Sequence, residues 1–99
     1  MARNKFQLEV RKYRVELANN ILAWMKEKGI SGGKLTLPTL DQFARDKHIK
    51  LFAGWQAWDL LREAGRLCRW SGAGWKVLDY TPIAADENGD LIEDTHRES

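Results

Sequence analysis

Residues 33–77 run GKLTLPTLDQFARDKHIKLFAGWQAWDLLREAGRLCRWSGAGWKV, and the spacing of their apolar residues decides the fold. Lys34-Leu35-Thr36-Leu37 alternates as a short strand does, and Pro38 stops it. Thr39 has the character of a helix N-cap, with Gln42 three residues later completing a capping box. Leu40, Phe43 and Ala44 then form the inward face of a short helix that ends near Asp46 or Lys47. His48-Ile49-Lys50 is a tight connection to a second helix, predicted over Leu51 to Ala64 and stopped by Gly65. On that helix Ala53, Gly54, Ala57, Leu60, Leu61 and Ala64 share an arc roughly 100° wide, the width of a core face. Phe52, Trp55, Gln56, Asp59, Arg62 and Glu63 take the other side. Leu67-Cys68-Arg69-Trp70 and Trp75-Lys76-Val77-Leu78 read as two strands joined by the glycine-rich Ser71-Gly72-Ala73-Gly74, a hairpin.

Upstream, residues 5–28 have the pattern of one long helix. Phe6, Val10, Tyr13, Leu17, Ile21 and Trp24 recur at spacings of three or four and mark its inward face. Lys26 and Lys28 favour its C-terminal dipole, and Gly29 ends it. A second apolar line of Leu8, Val15 and Leu22 lies on roughly the opposite side, which is expected either to be covered within the domain or to form a dimer contact. Downstream, residues 81–99 turn acidic and carry few apolar groups, so an unstructured tail is expected there. Asp86, Asn88 and Asp90 resemble the start of a calcium loop, but its twelfth position falls on Arg97, where a glutamate is needed.

The expectation is therefore a helix, a short strand, two helices and a two-stranded hairpin over residues 1–80. That is an α+β winged helix-turn-helix domain, followed by an acidic tail over 81–99. Its 99 residues are too few for a barrel or a doubly wound sheet with a second domain. The net charge of +2 is a cancellation: residues 1–80 hold 15 Lys and Arg against 8 Asp and Glu, or +7, while residues 81–99 hold one against six, or −5. A basic body of this kind suggests a nucleic-acid partner. One cysteine, Cys68, excludes an internal disulfide, and an N-terminal stretch rich in Arg and Lys does not resemble a secretory signal, so a cytoplasmic location is expected.

From Gly33 to Val77 the chain resembles the GntR-type winged-helix DNA-binding domain. The family's Leu-Pro-Ser start is matched by Leu37-Pro38-Thr39, its Leu-Ala pair by Phe43-Ala44, and its Leu-x-x-x-Gly ending by Leu61 and Gly65. The wing pattern is matched by Gly72, Gly74, Trp75 and Val77. Three positions at which the family often carries arginine are Asp41, Leu51 and Trp55 in this chain. About 20 residues follow the hairpin, so the family's ligand-binding domain has no counterpart in this sequence.

The resemblance implies sequence-specific binding of double-stranded DNA by a small transcriptional regulator of bacterial, phage or plasmid origin. The start of the second helix of the motif would enter the major groove and offer Lys50, Phe52, Trp55, Gln56 and Asp59, with Gln56 suited to adenine and Phe52 to a thymine methyl. Arg62, the N–H groups at Thr39, and Arg69, Ser71, Gly72 and Lys76 of the hairpin would meet the backbone, with Lys34, Arg45 and Lys47 extending the positive surface. The alternative is an adaptor or inhibitor that binds a protein partner through Leu51, Phe52 and Trp55, since exposed aromatics form binding hot spots. Catalysis is not expected. His48 and His96 are isolated, Cys68 has no histidine near it in sequence, no Cys or His pair has metal-ligand spacing, and no cofactor motif is present.

Overall fold

The structure, a computed structural model, describes residues 4–29, 34–70 and 74–92. Helix α1 spans Lys5–Lys28. Asn4 caps it: its side chain accepts the Gln7 N–H at 2.8 Å, and the Gln7 side chain accepts the Asn4 N–H at 3.0 Å. Strand β1 is Lys34–Leu35, α2 is Leu37–Lys47, α3 is Leu51–Glu63, β2 is Leu67–Trp70 and β3 is Gly74–Val77. Helix, strand, helix, helix and two strands is the expected order. The result is an α+β fold of three helices and one small antiparallel sheet, in the order β1-β3-β2. Among the described residues no helix is long and apolar enough to cross a membrane.

The start of α2 corrects the expected cap. The strand ends at Leu35, two residues early, and Thr36 is the N-cap, so that Thr39 lies inside the first turn. The Thr39 N–H donates to the Thr36 hydroxyl at 3.4 Å, and the two hydroxyls lie 3.0 Å apart. Pro38 fits the first turn because its missing N–H has no helical partner to lose. Gln42, freed from the expected capping box, donates to Asp46 at 2.9 Å. His48 closes α2 in the left-handed conformation, at φ 56°. Three residues, 48–50, then separate α2 from α3.

The core draws on all three helices and the sheet: Ile21, Leu22 and Met25 of α1, Leu35 of β1, Leu40 and Phe43 of α2, and Leu61 of α3 are fully buried. Trp24 meets the Phe43 ring edge-on at 5.5 Å, and its indole N–H donates to Asp46 at 2.9 Å, which ties α1 to α2. Leu67 and Val77 pair across β2 and β3 and point inward. Gly54 lets α3 approach α2, because a methyl group there would stand 3.2 Å from Leu40.

One open alternative is decided and two expectations are corrected. On the second apolar line of α1, Val15 and Leu22 are covered within the domain rather than left for a dimer contact, and Leu8 lies half-buried near Gly89. Phe6 and Tyr13, assigned to the inward face, are 73% and 50% exposed. Residues 81–92 also pack on the domain rather than stand apart from it. Ile83 is buried, and its N–H and C=O bond the Asn19 side chain at 2.6 and 2.9 Å. Ala85 and Leu91 form a β-bridge around the 86–90 turn, and Arg11 donates to the Gly89 carbonyl at 2.9 Å. Buried Arg66 donates to the carbonyls of Thr81, Ala64 and Pro82. Low apolar content does not prevent this packing because one isoleucine and a set of side chain-to-backbone bonds dock the segment on α1.

Candidate functional site

Helix α3 separates a core face from an exposed ridge. Gly54, Ala57, Leu60 and Leu61 of the predicted arc are buried, its Ala53 and Ala64 are half-buried, and Trp58 is buried beside them. Phe52, Trp55, Asp59, Arg62 and Glu63 are exposed, and Gln56 is half-buried. Phe52 is 69% exposed and Trp55 40%. Trp55 keeps an indole on this side by stacking on Trp58, with ring centres 5.0 Å apart and planes 22° from parallel. Lys50 precedes the ridge at the N-cap position and is exposed.

On one flank, α3 meets the hairpin. The guanidinium groups of Arg62 and Arg69 lie over the same Trp75 ring, 4.9 and 5.5 Å from its centre. Arg69 reaches it because Arg69 and Trp75 are register partners on β2 and β3. Strand alternation turns the next residue of β3 to the other face of the sheet, where Lys76 stands opposite both Lys34 and Cys68. Arg62 and Arg69 therefore share one surface, and Lys34 and Lys76 share another. Arg45 is exposed and pairs with Asp41 at 3.1 Å, and Lys47 is exposed in the last turn of α2. The Thr39 N–H is occupied by the cap. Ser71 and Gly72 lie outside the described residues.

On the other flank, α3 meets α1 in a cleft. A hollow of about 340 Å³ is lined by Phe52, Trp55, Gln56, Asp59, Leu60 and Glu63 of α3 with Arg11 and Arg14 of α1. A second hollow of about 400 Å³ continues along α1, and the same two arginines also line it, with Phe6, Gln7 and Val10. Arg11 is engaged: it donates to Glu63 at 2.6 and 3.3 Å as well as to Gly89. The Arg14 Nε is buried with no hydrogen-bond partner among the described residues.

Sequence reasoning missed Arg11 and Arg14. A signal was present, because Arg14 stands one helical turn after Val10 and seven residues before Ile21, a cation within the apolar arc. Away from the ridge, Asp46 titrates below the usual carboxylate value. The Gln42 hydrogen bond is the largest cause, followed by the Trp24 bond and, after desolvation, which opposes the shift, the charges of Lys28 and Lys47. This carboxylate is a tie between α1 and α2. No family model matches the chain, and no curated protein or solved structure shows significant similarity to it.

Proposed function

We propose that this chain is a small winged-helix protein that binds double-stranded DNA in a sequence-dependent way, as a transcriptional regulator of the GntR-like kind. In this reading α2 and α3 are the helix-turn-helix and β2 and β3 flank the wing. The observation that carries it is the convergence of Arg62 and Arg69 over Trp75, which supports a continuous cationic flank from α3 to the hairpin. A helix seated in the major groove has a phosphate backbone on each side of it, and such a flank is suited to one of them. Lys50 lies at the entry to the ridge, and Phe52, Trp55 and Gln56 supply apolar and amide contacts to base edges. Asp59, 3.7 Å from Arg62, opposes phosphate nearby and lowers affinity.

Selection from random duplex DNA at two salt concentrations tests this. Enrichment of a consensus, with affinity falling steeply as salt rises, is the expected result. Arg69→Ala weakens binding to all sequences alike, whereas Gln56→Ala relaxes preference at one position. Absence of binding at low salt, where phosphate attraction is strongest, refutes the proposal.

The exposure of Phe52 and Trp55 favours a second function, docking of a protein partner on the same ridge. The two part on one variant pair. Under DNA binding Asp59→Asn tightens duplex affinity by a few-fold, and Lys50→Ala weakens it. Under protein docking both leave the interaction unchanged, and Trp55→Ala abolishes it.

A further inference from the structure

The cleft on the α1 flank is lined by a cation, Arg14, one of whose donors has no hydrogen-bond partner among the described residues. Arg14 lines both hollows, one shared with Phe52, Trp55 and Gln56 and the other with Phe6 and Val10. Its Nε is buried without a hydrogen-bond partner among the described residues, an arrangement that costs stability. The neighbouring acids are otherwise engaged. Glu63 is held by Arg11 at 2.6 Å, and Asp59 is 74% exposed on its side chain and lies 3.7 Å from Arg62. Among the described residues no carboxylate pairs with Arg14, and the two hollows it lines are where an acceptor would meet the rest of its side chain.

We infer that Arg14 is a phosphate-binding residue, which takes a backbone phosphodiester of duplex DNA on the flank of α3 opposite Arg62 and Arg69. The inference rests on the DNA-binding function proposed above and extends it. One strand's backbone runs along the hairpin flank and the other along α1, with the α3 ridge between them. A guanidinium suits this role because its planar set of donors matches two phosphate oxygens at once.

Fluorescence anisotropy with a labelled random-sequence duplex, over a series of salt concentrations, tests this on the full chain. Arg14→Met keeps the aliphatic stem but removes the charge, and Arg14→Lys keeps the charge. The expected result for Arg14→Met is about tenfold weaker binding at low salt, with the slope of log affinity against log salt reduced by about 0.9. Arg14→Lys keeps the wild-type slope, because it still neutralises one phosphate. If the wild type binds duplex and Arg14→Met matches its affinity and slope, the inference is overturned and DNA binding stands. If both variants lose affinity equally and melt at lower temperature, Arg14 is a packing residue and the inference is likewise overturned. If the wild type binds no duplex at any salt, DNA binding falls and the phosphate site falls with it.

Discussion

The two halves of α1 carry similar apolar spacing and meet different fates. In the C-terminal half Leu17, Ala18, Ile21, Leu22, Trp24 and Met25 are all buried, over about half of the helix circumference. In the N-terminal half the same stripe leaves Phe6 and Tyr13 in solvent, and the partly covered side is that of Leu8 and Arg11. The difference comes from what each half faces. The C-terminal half lies among residues of α2, β1 and α3 in the common core. Among the described residues the N-terminal half bonds to the end of α3, through Glu63, and to the 86–90 turn, and both lie on the Arg11 side. Periodicity identifies a helix that has apolar faces; the neighbours choose which of those faces is covered.

Four measurements break or sharpen this contrast. The largest effect is expected from ending the chain after Tyr80. That removes Ile83 and both of its bonds to Asn19, and deprives buried Arg66 of the Thr81 and Pro82 carbonyls. Urea unfolding should show a loss of about 4 kcal/mol relative to a chain ending after Ile92. Equal stability of the two truncations would mean that the 81–92 segment does not support α1.

Ile21→Ala, at a fully buried position, is expected to cost about 3 kcal/mol, whereas Phe6→Ser stays within about 0.5 kcal/mol of wild type. Comparable losses for the two would abolish the contrast between the halves. Gly89→Ala is expected to cost about 1 kcal/mol, because the residue sits at φ 84° and a methyl group would stand 2.9 Å from the Arg11 side chain. A neutral result in thermal melts would show that the turn is not pressed on the N-terminal half. The smallest effect concerns the link from Trp24 to α2. Because the folded state lowers the Asp46 pKa, its carboxylate adds stability above the ordinary value of 3.8, and this is lost as pH falls through the lowered folded value. Asp46→Asn should therefore lower the melting temperature slightly at pH 7 and flatten its decline towards pH 3.

The helices were largely legible because their signals are local. Glycine after Lys28, the apolar arc on α3 and the paired strands around a glycine-rich tip each act within a few residues. The cap of α2 was misplaced by three residues because Thr36 and Thr39 are both acceptable caps, and the short strand decides between them by ending at Leu35. The candidate site was half legible. Periodicity put Phe52, Trp55, Asp59 and Arg62 on the exposed side of α3, yet spacing alone could not separate Arg69 from Lys76 by sheet face without a register. The cleft at Arg14 was hidden, since it exists only where α1 crosses α3.

Element types and order, the αL stop at Gly29 and the core face of α3 follow from local pattern, because backbone sterics and side-chain period act between neighbours in the chain. Which face of α1 is buried, how the 81–92 segment docks, and which arginines share a surface are decided by contacts between residues far apart in the chain. Arg11 with Glu63, Asn19 with Ile83 and Arg62 with Trp75 are examples. Burial is a property of a pair of surfaces, and half of each pair lies elsewhere in the chain.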